Sequence, residues 1–123
     1  MAKILIVDDS SMSRRILRNI LEKAGHQVIE AKDGISGIEA YFLNHPDLVL
    51  LDLVMEGMYG LDVLEKLRQL DSTVQVIIAS ADIQKSTRET AQTAGAKAFV
   101  NKPFASAKVL EVVNTVLKGS GIC

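Results

Sequence analysis

LVLLD, residues 48–52, is the stretch that decides the fold: four apolar residues in succession, closed by an acid. A strand wetted on one face alternates apolar with polar side chains, whereas a central parallel strand covered by helices on both faces is apolar at every position. ILIVDD, residues 4–9, repeats the pattern and ends in Asp8 and Asp9. These are read as two central strands, each delivering carboxylates where it stops.

Working outward, short β-branched runs alternate with longer segments of helical period, the signature of βαβ units around a parallel sheet. The strands are predicted over Ile4 to Val7, Gln27 to Glu30, Leu48 to Leu51, Val74 to Ala79 and Ala98 to Val100. The first helix is predicted to start at a Ser10 or Ser11 cap, whose oxygen can accept from the free N–H groups of the first turn, and to end at Gly25. Its apolar stripe is read as Ile16, Ile20, Leu21 and Ala24, with Arg14, Arg15, Arg18 and Lys23 on a solvated face. Further helices fit Gly34 to Leu43, Leu61 to Leu70, Ile83 to Ala94 and Ser106 to Leu117, with Gly95 as a C-cap.

The chain has 123 residues, enough to build one hydrophobic core without staples, so a single domain over 1–123 with no output domain is expected. Basic and acidic residues number 14 and 15, a formal net charge of -1, which argues against direct binding to nucleic acid or an anionic membrane. The one cysteine, Cys123, is the last residue and cannot form an intrachain disulfide. The longest apolar runs are strand-sized, far short of the roughly 20 residues that span a bilayer. A cytoplasmic protein is expected.

In an open α/β sheet the functional crevice lies beyond the carboxyl ends of the strands. There the chain places Asp8 and Asp9, Asp52, Ser80, and the run Asn101, Lys102, Pro103. Clustered carboxylates raise one another's pKa unless a cation sits among them, and oxygen ligands suit a hard divalent ion, Mg²⁺ first and Mn²⁺ as a substitute. Asp9 and Asp52 are direct ligand candidates, and Asp8 binds directly or through water. One Asp at a strand end is usually a turn or cap residue; three with a lysine are not. Lys102 would neutralise the cluster at rest and clamp an added phosphoryl oxygen, with Ser80 donating to another. Asp52, between the metal ligands and Lys102, is the best phosphoryl acceptor of the three.

These marks resemble the bacterial response-regulator receiver family: KILIVDD at 3–9, LVLLDLVM at 48–55 with Gly60 following, VIIASA at 76–81 and GAKAFVNKPF at 95–104. The resemblance implies a flavodoxin-like three-layer fold with strand order 2-1-3-4-5. It also implies Asp52 as phospho-acceptor, a metal site from Asp8, Asp9, Asp52 and the backbone carbonyl of Val54, and Ser80 and Lys102 as phosphoryl ligands. Ser80 and Phe99 are implied as switch residues. The implied partners are a sensor histidine kinase or phosphotransfer protein, and a downstream protein bound through the face of the fourth helix, fifth strand and fifth helix. Glu56 stands where the family usually has proline, and Phe99 lacks a tyrosine's hydroxyl. Lys97 and Ala98 replace the acidic pair of the winged-helix subfamily, so a monomer is expected.

Three other readings meet obstacles in the residues. An aspartyl phosphatase of the haloacid dehalogenase type needs a general-acid Asp two after the nucleophile, where this chain has Val54. A flavin carrier needs a Ser, Thr and Gly rich phosphate loop where Asp8 and Asp9 stand. A module that never takes phosphate has no use for the complete acid, serine and lysine set.

Overall fold

The computed structural model describes residues 2–55, 57–81 and 83–119; the expectations attached to Glu56 and Cys123 lie outside the described residues. Elements alternate without interruption: β1 Lys3–Val7, α1 Ser11–Lys23, β2 Gln27–Ala31, α2 Gly34–Asn44, β3 Leu48–Leu51, α3 Gly60–Leu70, β4 Val76–Ser80, α4 Lys85–Thr93, β5 Ala98–Asn101 and α5 Ser106–Leu117. The five strands are parallel in the order β2-β1-β3-β4-β5, the flavodoxin-like arrangement expected.

Successive residues of a strand face opposite sides of the sheet, and the two sides carry separate cores. Ile4, Ile6, Leu48, Leu50, Ile77 and Ala79 pack under α1 and α5, while Leu5, Val7, Val49, Leu51, Val76 and Ile78 pack under α2, α3 and α4. This double coverage is why β1 and β3 are apolar at every position. It also aligns all five strand ends along one edge, where the order reverses between β1 and β3.

Several sequence readings need correction. The buried stripe of α1 is Leu17, Ile20 and Leu21, whereas Ile16 is 40% exposed and Ala24 is exposed: Ile20 and Leu21 hold, Leu17 takes the place of Ile16, and Ala24 drops out. Arg14 does not lie on a solvated face, since its guanidinium folds back onto the β1 end and β2. Strand β4 begins at Val76, because Val74 donates its N–H to Asp71 in a turn; Val74 is buried without joining the ladder. Helix α4 is Lys85–Thr93, shorter than predicted, with Gln84 extended at its start and no side-chain cap. Ser10 is the α1 cap, its Oγ accepting from Ser13 N–H at 3.2 Å. Gly95 has φ +110° just past α4, as a helix stop requires.

Candidate functional site

Asp8 and Asp52 are carried just past β1 and β3, which pair directly, and Asp52 N–H donates to Val7 at 2.9 Å. Asp8 is locked on the other side by its own N–H, donated to Ala31 at the end of β2. The two carboxylates are therefore fixed by the ladder itself, and both are buried, as is Ser80 at the end of β4. Asp9 is exposed at the rim. One carboxylate oxygen from each of Asp8, Asp9 and Asp52 lies within 4.8 Å of the others.

Donors surround Asp52. Ser80 Oγ donates to Oδ1 at 2.7 Å, the Val54 N–H reaches the same oxygen at 3.3 Å, and Lys102 Nζ donates to Oδ2 at 3.3 Å. Lys102 is set in place from β5, its backbone N–H bonded to the Ser80 carbonyl at 3.0 Å. Its ammonium also pairs with Asp8 Oδ2 at 3.0 Å. The loop between Asp52 and α3 passes so close that a Cβ on Gly60 would sit 2.2 Å from the Asp52 carbonyl oxygen, so only glycine fits. Gly60 N–H closes that loop on the Leu53 carbonyl at 2.9 Å.

The charges are unevenly satisfied. Burial pushes the Asp8 carboxyl above its ordinary pKa; the Ser10 N–H and Lys102 oppose the shift, and Asp52 adds to it. Burial pulls Lys102 down, but the bonds and charges of Asp8 and Asp52 outweigh it and hold the ammonium up. Asp8 Oδ1 accepts from Ser10 N–H at 2.9 Å, whereas buried Oδ2 has the Lys102 ammonium as an ion-pair partner and no donor in hydrogen-bond geometry among the described residues. A buried carboxylate oxygen in that condition, beside two other acids, fits a divalent cation by charge and donor type.

The structure thus brings Asp8, Asp9, Asp52, Ser80 and Lys102 to one edge, as the sequence predicts. Val54, whose N–H reaches Asp52, is 72% exposed. Phe99 is outside the cluster, half-buried on the α4 side of β5, with the Arg88 guanidinium 4.6 Å from its ring centroid. That stacking is not apparent from sequence, since it depends on how α4 crosses β5. Nor is the Arg14 contact with the Asp8 carbonyl.

Comparison with known proteins agrees with the geometry. The family model for the response regulator receiver domain matches residues 4–114, and the chain belongs to that family. Receiver domains are signalling switches rather than conventional enzymes; they work with histidine kinases and downstream targets, and generally bind Mg²⁺. Among curated relatives, the chain is 40% identical to the chemotaxis protein CheY of Bacillus subtilis, over 94% of this chain and 97% of that one. It is 36% identical to the protein PilH of Pseudomonas aeruginosa, over 97% of this chain and all of that one. Among solved structures, a CheY-like receiver domain protein from Methanospirillum hungatei superposes with a TM-score of 0.92 at 27% identity, covering 98% of this chain and 96% of that one. The chain is therefore a receiver of CheY type, which implies phosphorylation-dependent two-component signalling. No helix among the described residues is long and apolar enough to cross a membrane.

Proposed function

We propose that Asp52 accepts a phosphoryl group from a histidine kinase or phosphotransfer protein, and that the resulting acyl phosphate changes a protein-binding surface. The observation that supports this most strongly is the setting of Asp52: a buried carboxylate reached at once by the Ser80 hydroxyl, the Lys102 ammonium and a backbone N–H. In the transfer, an Asp52 carboxylate oxygen bonds to phosphorus while the bond from phosphorus to the donor nitrogen breaks, and that electron pair leaves with the imidazole. Lys102 and Ser80 already point at the acceptor oxygens, so small rotations bring both onto the phosphoryl oxygens, where they stabilise the charge. Asp8, Asp9, Asp52 and the Val54 carbonyl are the residues proposed to hold Mg²⁺, or Mn²⁺ in its place. When bound, the ion supplies the positive charge that offsets repulsion between the acids and the incoming phosphate.

Signal output follows from the hydroxyl. Ser80 cannot serve both its Asp52 bond and a phosphoryl oxygen in the same geometry, so β4 shifts at its end, and Phe99 on the neighbouring strand is the side chain proposed to respond. The readout is the α4-β5-α5 face, bound by a downstream protein. The proposed setting is cytoplasmic and monomeric, without nucleic-acid contact.

The test is labelling with phosphoramidate or acetyl phosphate in the presence of Mg²⁺. One phosphoryl group is expected on Asp52, prevented by chelation and abolished by Asp52→Asn. Undiminished labelling of Asp52→Asn by mass spectrometry would overturn the reading.

A further inference from the structure

Arg14 sits in the first turns of α1 and takes no part in the phosphoryl chemistry, yet its side chain is only 17% exposed. Its Nη1 donates to the backbone carbonyl of Asp8 at 2.7 Å, while its Nε donates to Glu30 on β2 at 3.0 Å. That carbonyl belongs to the peptide joining Asp8 to Asp9, the two acids of the β1 end. The Asp8 N–H is already fixed by Ala31, and the Asp8 carboxylate by Ser10 N–H. The Arg14 bond holds the carbonyl of the peptide between them, on the Asp9 side of Asp8.

We propose that Arg14 is a positioning residue for the divalent-cation site: by pinning the Asp8–Asp9 peptide it holds the two carboxylates in the arrangement that binds the ion. The inference rests on the metal reading given above. A guanidinium suits this role because its planar fork can serve a carbonyl and a carboxylate together, which a lysine ammonium does less well at two separated acceptors.

The charge pattern around Arg14 separates positioning from simple electrostatics. Glu30 gives one oxygen to Arg14 and the other to Arg18, at 2.6 Å, and Arg18 also bonds Glu22 at 3.1 Å. Two arginines and two glutamates make the network neutral. Removing Arg14 leaves it net negative, so Coulomb attraction alone would tighten cation binding. Loss of a held peptide would weaken it. The two accounts predict opposite signs.

The experiment is Mn²⁺ binding to the full chain, followed by the electron paramagnetic resonance signal of free Mn²⁺, with no phosphoryl donor present. Arg14→Met keeps the apolar stem and the packing but loses the guanidinium, and its dissociation constant for Mn²⁺ is expected to rise roughly tenfold, as for other groups that orient metal ligands. Arg18→Met breaks the same Glu30 network without touching the Asp8 carbonyl, and is expected to leave affinity unchanged or slightly tighter. Arg14→Lys is expected to recover part of the loss. Unchanged or tighter binding in Arg14→Met would overturn the proposal while leaving the cation site intact, as would an equal loss in Arg18→Met. Absence of Mn²⁺ binding by the unsubstituted chain would overturn the metal reading and this inference together.

Discussion

Two groups of carboxylate and hydroxyl side chains stand at opposite ends of the sheet, built from nearly the same parts. At the end away from the site, Tyr41 Oη donates to Asp71 Oδ2 at 2.7 Å, and Thr73 gives its hydroxyl and N–H to Asp71 Oδ1 at 2.6 and 2.9 Å. One carboxylate there has three donors, and the Thr73 hydroxyl, Tyr41 and the Thr73 N–H hold its pKa below the ordinary value. Burial and the Asp71 charge push the Tyr41 phenol up in return. At the other end Asp8 and Asp52 share the Lys102 ammonium with Asp9 close beside them, and burial pushes Asp8 above the ordinary value instead. The satisfied group fastens α2 to the end of α3. The other leaves the buried Asp8 Oδ2 without a hydrogen-bond donor among the described residues, and in the function proposed above a cation answers that deficit.

Removing Lys102 breaks the contrast most severely, because it strips the acidic cluster of its cation. Lys102→Met is expected to lose about 2 kcal/mol of stability in chelator, less than the ~3–5 kcal/mol of a fully buried broken pair because the ammonium keeps some exposure. Millimolar Mg²⁺ is expected to restore much of that loss by binding only the folded state. Urea denaturation with and without Mg²⁺ measures both, and a stability of Lys102→Met that does not rise with Mg²⁺ would deny that the cluster holds a cation.

The next effect sharpens the active end alone. Val54, two residues after Asp52, is exposed and its side chain cannot hydrogen-bond a water; in the function proposed above it borders the route of a water attacking the phosphoryl group. Val54→Asn is expected to shorten the lifetime of phospho-Asp52 about tenfold if the amide contributes about 1.4 kcal/mol to the transition state. Radiolabel decay reads it directly, and an unchanged or longer lifetime would show that this position does not time the signal.

At the satisfied end, Tyr41→Phe removes one of Asp71's donors and is expected to lower Tm by a few degrees while leaving Mg²⁺-dependent labelling unaltered. A change in labelling would mean that the two ends communicate.

The smallest effect concerns pH, and its sign differs between the ends. Asp71 is more acidic folded than unfolded, so its contribution is present above the unfolded value of 3.8 and is lost as pH falls toward the folded one. Asp8 is less acidic folded than unfolded, so folding is penalised progressively as pH rises past 3.8, and the penalty persists at neutrality. In chelator at pH 7, Asp71→Asn is therefore expected to destabilise and Asp8→Asn to stabilise. Denaturation curves of the same sign would remove the basis of the comparison.

By itself the sequence determined the parallel sheet and the candidate chemistry. Leu48 to Leu51 matched β3 and Ser106 to Leu117 matched α5 because apolar runs and helical period are local properties: β3 is buried throughout, and α5 buries the stripe Val109, Val112, Val113 and Val116. Asp8, Asp52, Ser80 and Lys102 were legible because a strand end is a position along the chain, and the parallel topology sends every such position to one edge. Helix α4 was less legible: Ala91 is its one buried residue, so little apolar signal marks where it starts. Tertiary structure alone decided which of Ile16 and Leu17 faces the core, and that Val74 is buried without pairing. It also decided that Arg14 reaches the Asp8 carbonyl and that Arg88 covers Phe99. The physical reason is common to these cases. Hydrophobicity and period say that a residue is covered or exposed, but the partner of a long cationic side chain depends on how separate elements cross, and no local pattern encodes that crossing.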